Sequence, residues 1–396
     1  VPIGYLFTVV VIAMGALFAL RPVRRPRPVA TVSYFLGLAV NELPFFAAVY
    51  WLGISTSLAF AEGDIDSAAG WAGVALAAVT FVGLAVVAYR AVGEKARVDR
   101  ALDEGLGAGW RESLDPDLAA GLRTRRPLAR IILMPIIKRR RDVRRVADLS
   151  YGDAGRRNLL DVYHHRSRPQ GAPVMIHVHG GHYSGGHKNS QSLALLYRLA
   201  SQGWVCVSAN YRLRPEVEHP DHLIDLKKVV ARVREHADEY GVDPATVFVA
   251  GSSAGAHMAA FAALTQNDPA FQPGFEDADT SVSGAVCLNA WYREYFGQGP
   301  ESSPESHITA DAPPFFVAHG DKDPIVPVSD ARHFTDELRR TSAAPVVYAE
   351  LRGGHHAFDL YHSLRFEAVV DGIEAFAASV RSRDSLSVHP ARRPRG

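Results

Sequence analysis

Gly251-Ser252-Ser253-Ala254-Gly255 has the form G-x-S-x-G, in which a tight strand-to-helix turn presents a serine hydroxyl. Ser253 holds the middle position and is the candidate nucleophile, with Ser252 as the spacer. A serine hydroxyl attacks poorly unless a base removes its proton, so an acid and then a histidine are required downstream. Two loops offer them: His319-Gly320-Asp321-Lys322-Asp323-Pro324 and Gly353-Gly354-His355-His356-Ala357-Phe358-Asp359. Two acids and two histidines leave four pairings open on spacing alone. Upstream, His177-Val178-His179-Gly180-Gly181-His182 supplies a glycine-bearing loop whose backbone N–H groups suit a tetrahedral oxyanion. His177 and His179 share one strand face and could chelate a metal, but no carboxylate or cysteine is spaced to complete the shell. No metal or organic cofactor is expected.

These loops need a scaffold that gathers them at one edge. From 147 to 380, short β-branched runs alternate with amphipathic segments. Pro173–His179, Trp204–Ala209, Thr246–Ala250, Ala285–Leu288, Phe315–Ala318 and Val346–Leu351 are expected as strands. Leu193–Ser201, Leu223–Tyr240, Ala254–Thr265, Asp330–Arg340 and Leu364–Ala378 are expected as helices. The alternation predicts an α/β fold with a doubly wound, mostly parallel sheet, whose strand ends carry the chemistry. Cys206 and Cys287, the two cysteines, fall in strand runs and read as small buried hydrophobes, which excludes a disulfide scaffold.

The amino-terminal part is of another kind. Residues 1–20 contain no charged side chain and are long enough to cross a bilayer. A signal peptide would carry an early positive charge, which is missing here. Residues 31–60, apolar except for Asn41, Glu42 and Pro44, predict a second span that is tilted or broken near Pro44, and residues 69–89 predict a third. Glu42 is expected near a helix end or facing a neighbour. Arg21, Arg24, Arg25 and Arg27 flank the first span and Arg90, Lys95, Arg97 and Arg100 the third, whereas 61–67 has no Lys or Arg. The positive-inside rule then puts the catalytic domain in the cytoplasm. Residues 91–146 are expected as a basic amphipathic junction, with 15 Lys and Arg against 8 Asp and Glu between Arg90 and Arg145. Its stretch Pro127–Arg141, apolar and then basic, suits either an anionic leaflet or a core-packing helix with a solvated basic end. Residues 381–396 are expected as a disordered basic tail. The overall net charge of +1 leaves no nucleic-acid footprint.

In combination, HGG, GSSAG, HGDKDPIVP and GGHHAFD resemble the hormone-sensitive-lipase-like bacterial carboxylesterases of the α/β-hydrolase superfamily, in particular their membrane-anchored branch. The resemblance covers roughly 148–380. It implies that the acid of HG-x-x-D-x-x-VP is Asp323, that the base is His356, and that the oxyanion donors are the N–H groups of Gly181, His182 and Ala254. His182 stands where that family has a third glycine, so its side chain enters the acyl pocket region. The segment Trp291–Asp311 is shorter than in relatives, which leaves little cap.

The resulting expectation is a membrane-anchored serine hydrolase acting on small-molecule or lipid carboxylic esters through an acyl-enzyme, with membrane lipids as its other partners. A peptidase or amidase on the same fold, and a catalytically silent membrane scaffold, are the alternatives. Oligomeric state is not readable.

Overall fold

The computed structural model describes residues 3–123 and 126–388. An eight-stranded sheet runs in the order β1-β2-β4-β3-β5-β6-β7-β8. The strands are β1 Val143–Ser150, β2 Leu159–His165, β3 Ala172–Val178, β4 Val205–Ala209, β5 Val242–Ser252, β6 Gly284–Leu288, β7 Phe315–Gly320 and β8 Val346–Leu351. β1 and β2 pair antiparallel, and β4, β3, β5, β6, β7 and β8 run parallel. The doubly wound α/β fold is thus as expected, with two strands added at the edge. β1 and β2 escaped the reading of apolar runs. β1 carries Arg144 and Arg145, is partly exposed, and shifts register between Val146 and Leu149, which breaks its alternation.

The central strands are buried on both faces, as their continuous apolar character requires. Along β3, Val174 and Ile176 face one core and Met175 faces the other. The helices include α1 Ile3–Leu20, α2 Arg27–Glu42, α3 Pro44–Ala61, α4 Ala68–Val92, α5 Glu94–Leu106 and α6 Leu128–Leu133, followed by α7 Leu193–Ser201, α8 Asp221–Glu235, α9 Ala254–Leu264, α10 Val328–Thr341 and α11 Leu364–Val388. Residues of α8, α9 and α10 fill the first core, and those of α5, α7 and α11 the second. Cys206 and Cys287 are free and buried, one in each core.

α1, α3 and α4 are long and apolar enough to cross a membrane by length and composition. They bundle around Val9, Ile12, Ala16, Ala47 and Leu84, with Phe7, Val79 and Phe81 exposed outside. The segment 31–60 breaks at Leu43, as Pro44 led one to expect, because a proline there cannot continue the preceding helix. Its second half is α3, with a π-helical stretch at Ala47–Gly53. Its first half is α2, which lies against α1 and reaches the catalytic loops. Glu42 is the last residue of α2. The region expected as a junction over 91–146 also divides: α5 packs on β8 and α11 as part of the sheet's helical layer, and β1 starts at Val143. Of the tail expected over 381–396, residues up to Val388 continue α11 and 389–396 lie outside the described residues.

Candidate active site

β5 ends at Ser252 and α9 begins at Ala254, so Ser253 is the whole of the turn between them. Its backbone sits at φ 53° and ψ −118°, a conformation that costs a non-glycine residue energy and is held here by its surroundings. The Ser253 N–H donates to the Leu288 carbonyl at 2.8 Å, tying the turn to β6. Crowding sets the neighbouring residues: a Cβ at Gly251 would lie 2.2 Å from the Gly255 carbonyl, and one at Gly255 would lie 2.2 Å from Val178 O.

Parallel register brings the loops after β7 and β8 to this turn. The Ser253 hydroxyl lies 2.9 Å from His356 Nε2, and His356 Nδ1 lies 2.7 Å from Asp323 Oδ2. With the proton on Nδ1, His356 donates to Asp323 and accepts from Ser253. The other carboxylate oxygen of Asp323 accepts the N–H groups of Ile325 at 2.7 Å and Val326 at 2.8 Å. Burial alone would raise the Asp323 pKa. His356 and His319, the latter 3.4 Å from Oδ2, outweigh it and hold the carboxyl well below its usual range. The losing candidates have other work. Asp321 accepts the Gly353 N–H at 2.6 Å, and His355 Nε2 donates to the Ala19 carbonyl at the end of α1, 3.1 Å away. Burial pushes His355 down to about 4, so it is neutral there.

The loop after β3 approaches from the other side. Gln191 Oε1 accepts the Gly180 N–H at 2.5 Å and fixes the start of the turn. Gly181 takes φ 120°, and a Cβ there would lie 2.3 Å from Gly185 O, so only glycine fits. Gly181 and His182 line the cavity beside Ser253. Ala254, first residue of α9, has an N–H that no preceding helical carbonyl can accept. The His182 ring rests edge-on against Phe296, ring centres 4.8 Å apart, and both residues line the cavity. His177 Nε2 lies 3.3 Å from Ser252 Oγ, and His179 Nδ1 donates to Gly180 O at 2.7 Å while its ring stacks on Tyr211.

Two features go beyond the reading of the sequence. Ser252, directly beneath the turn, donates to Asp359 at 2.5 Å, and Ser192 donates to the same oxygen at 2.6 Å. Asp359 stands three residues after His356, so this buried network joins the Ser253 turn to the His356 loop. The second feature is Tyr34 on α2, whose ring centre lies 6.3 Å from that of His356. Arg24 donates to the Asp323 carbonyl at 3.1 Å, and Asn41 to the Gly353 carbonyl at 2.9 Å. An amino-terminal helix therefore forms part of the site's wall. No motif marks Tyr34, Arg24 or Asn41; only their position after folding does.

The cavity over Ser253 holds about 550 Å³. Trp291, Phe296, Ile325, Leu360 and Tyr34 make its wall largely apolar, with Ser253 and His356 at the base. That is the usual composition of a small-molecule site, apolar lining around a few directed polar groups. The segment after β6 supplies Trp291 and Phe296, and α2 supplies Tyr34. Among the described residues, no group of three or more His, Cys, Asp or Glu side chains is arranged to hold a metal. The arrangement can activate a hydroxyl, receive its proton and stabilise charge on an adjacent oxyanion.

Comparison with known proteins places the chain among esterases. A family model described as BD-FAE matches residues 160–295 and 276–338. The chain is 37% identical over 423 residues to the probable carboxylic ester hydrolase LipM of Mycobacterium tuberculosis, a match covering 98% of this chain and 96% of that protein. It is 40% identical over 271 residues to esterase LipQ of the same organism, covering 62% of this chain and 64% of the relative. Among solved structures, butyrate-bound Est2, an esterase of Thermogutta terrifontis, superposes with a TM-score of 0.50 at 22% identity, covering 63% of this chain and 96% of that one, a likeness of fold.

Proposed function

Because this chain belongs to the hormone-sensitive-lipase-like carboxylic ester hydrolases of the α/β-hydrolase superfamily, we propose that it cleaves esters through an acyl-enzyme formed on Ser253. The observation that carries this reading is the unbroken chain Ser253–His356–Asp323, at 2.9 and 2.7 Å, at the base of an apolar cavity. Ser253 Oγ attacks the ester carbonyl as His356 Nε2 takes its proton. Asp323 holds the imidazole in the required tautomer and stabilises its positive charge. The N–H groups of Gly181, His182 and Ala254 receive the oxyanion. His356 then returns the proton to the departing alcohol. A water deprotonated by the same nitrogen releases the acid and restores Ser253.

The same reading places the enzyme in a membrane, with α1, α3 and α4 as spans. The carboxyl ends of α1 and α4 and the start of α2 all lie at the catalytic domain, so Arg21, Arg24 and Arg90 are on its side. By the positive-inside rule that side is cytoplasmic. Tyr34 forms a wall over the acyl group, and the substrate is an ester with an apolar acyl chain.

A panel of p-nitrophenyl esters from acetate to palmitate, beside the matching p-nitroanilides, tests the reaction on detergent-solubilised full-length protein. Ester turnover with little anilide turnover is expected; anilide turnover of equal efficiency would overturn ester specificity. A reporter fused after Gly396 is expected to be active only in the cytoplasm.

A further inference from the structure

α6 sits where the helical bundle meets the catalytic domain. Ile131 packs among Ala91, Leu364 and Phe45, and Pro135 O accepts the His362 N–H at 3.0 Å. Facing outward, Leu128, Leu133, Met134, Ile136 and Ile137 are each 44–64% exposed. Arg130 folds back onto the carbonyls of Ile137 and Arg139. The chain leaving this apolar strip therefore turns at once into a second surface feature.

That feature is a cavity of about 510 Å³ ringed by Arg139, Arg140, Arg144, Arg145 and Arg166, with Tyr197 beside them. Asp161 neutralises Arg145 at 2.7 Å. Among the described residues, the other four arginines have no carboxylate within 4.0 Å. The nearby acids are engaged elsewhere: Asp142 accepts from Ser201, Glu374 pairs with Arg198 at 2.7 Å, and Glu367 is held by Arg123 and His362. Asp142 and Glu367 act on Arg140 only at longer range, so four guanidinium groups without an ion-pair partner, lining one concavity, form a receptor for an anion with several acceptor oxygens.

We infer that this cavity binds the phosphate of an anionic phospholipid, with the strip 128–137 lying among the acyl chains of the same leaflet. A free phosphate would satisfy the arginines and leave five contiguous apolar side chains in water, whereas a lipid satisfies both. The location agrees, because α6 touches Ala91 at the end of α4 and Phe45 at the start of α3. The inference rests on reading α1, α3 and α4 as membrane spans. It also revises which residues matter. Arg139 and Arg140 of the basic run line the cavity, whereas Arg141 does not, and Arg144 and Arg166 take its place.

The test uses purified full-length protein in a non-ionic detergent and titration calorimetry with three probes: dioctanoylphosphatidylglycerol, dioctanoylphosphatidylcholine and inorganic phosphate. The phosphatidylglycerol is expected to bind saturably, with the other two at least about tenfold weaker. An arginine near an anionic surface contributes roughly fivefold to affinity, so Arg139→Gln/Arg144→Gln/Arg166→Gln should lower it on the order of 100-fold. Turnover of p-nitrophenyl acetate by that variant, expected within about twofold of the parent, reports its folding. Should the triple variant not fold, Arg144→Gln alone is expected to lose roughly fivefold. Leu133→Ser/Ile136→Ser/Ile137→Ser should weaken the lipid and not inorganic phosphate. Equal affinity for phosphatidylcholine, or unchanged affinity in the arginine variants, overturns the site. Inorganic phosphate binding as tightly as the lipid overturns the lipid as its ligand. Retention in membranes through an alkaline carbonate wash tests the spans separately, and release there overturns the spans whatever the calorimetry shows.

Discussion

Glu42, the last residue of α2, and Arg365, in the first turn of α11, form an ion pair whose two side chains are both fully buried. Ser363 donates to the second carboxylate oxygen at 2.6 Å, and Asn41 reaches from Glu42 to the Gly353 carbonyl. Gly353 and Ser363 bracket the loop that carries His356. The amino-terminal helices are thus fastened to both ends of that loop, and His355 adds a third attachment through Ala19.

Removing one member of such a pair leaves a charge without a partner in the interior, at a cost of about 3–5 kcal/mol. Glu42→Gln or Arg365→Met alone should therefore lower the thermal unfolding midpoint sharply. Glu42→Leu combined with Arg365→Met should recover most of the loss. Equal losses in the single and double variants would contradict the pairing.

Asp323→Asn and His356→Ala are each expected to reduce kcat for a soluble ester by several orders of magnitude, with Asp321→Asn and His355→Ala much milder. Adding His356→Ala to Ser253→Ala should cost little more, since groups sharing one proton transfer fail together. Multiplicative losses in the double variant would argue against a shared role.

Tyr34→Ala should open the wall of the cavity, and Tyr34→Phe should leave it closed. A change of about one methylene in an apolar pocket alters kcat/KM by roughly tenfold or more. The octanoate-to-acetate ratio is therefore expected to shift about that far toward the longer ester in Tyr34→Ala. An unchanged ratio would remove α2 from the substrate's surroundings.

Acid should destabilise the catalytic domain. Burial pushes His177 and His257 down to about 3, and His179 and His355 down to about 4. An unfolded histidine titrates near roughly 6.5. From there down to about 4, the unfolded chain takes up protons that the folded chain refuses, so stability falls as pH falls. Asp323, held low by its histidines, adds a loss at still lower pH. The unfolding midpoint should drop on the order of 5 °C or more between pH 7.5 and 4.5. His355→Gln, which can keep the donor to Ala19 and does not titrate at these pH values, should flatten that slope.

Much of this site could be read from the chain because its determinants are local. A serine between Gly251 and Gly255 needs the turn that the structure shows, and strands buried on both faces announce themselves as apolar runs. β1 did not, since an edge strand tolerates Arg144 and Arg145. Glu42 could be placed at a helix end beside Pro44, but its partner lies 323 positions away. Tyr34 is one aromatic among many in an apolar helix, and only the docking of α2 on the His356 loop gives it a place. Ser252 could be recognised as a spacer, whereas its bond to Asp359 depends on the sheet bringing β5 and the loop after β8 together.

The most direct test of the account is covalent labelling by a fluorophosphonate probe, with the modified residue located by peptide mass spectrometry. The account predicts a single label on Ser253, absent in Ser253→Ala, retained in Ser252→Ala and blocked by a competing ester. Ser253→Ala should also lose ester turnover by up to about 10⁶-fold. A label on Ser252, or ester turnover that survives in Ser253→Ala, would contradict it.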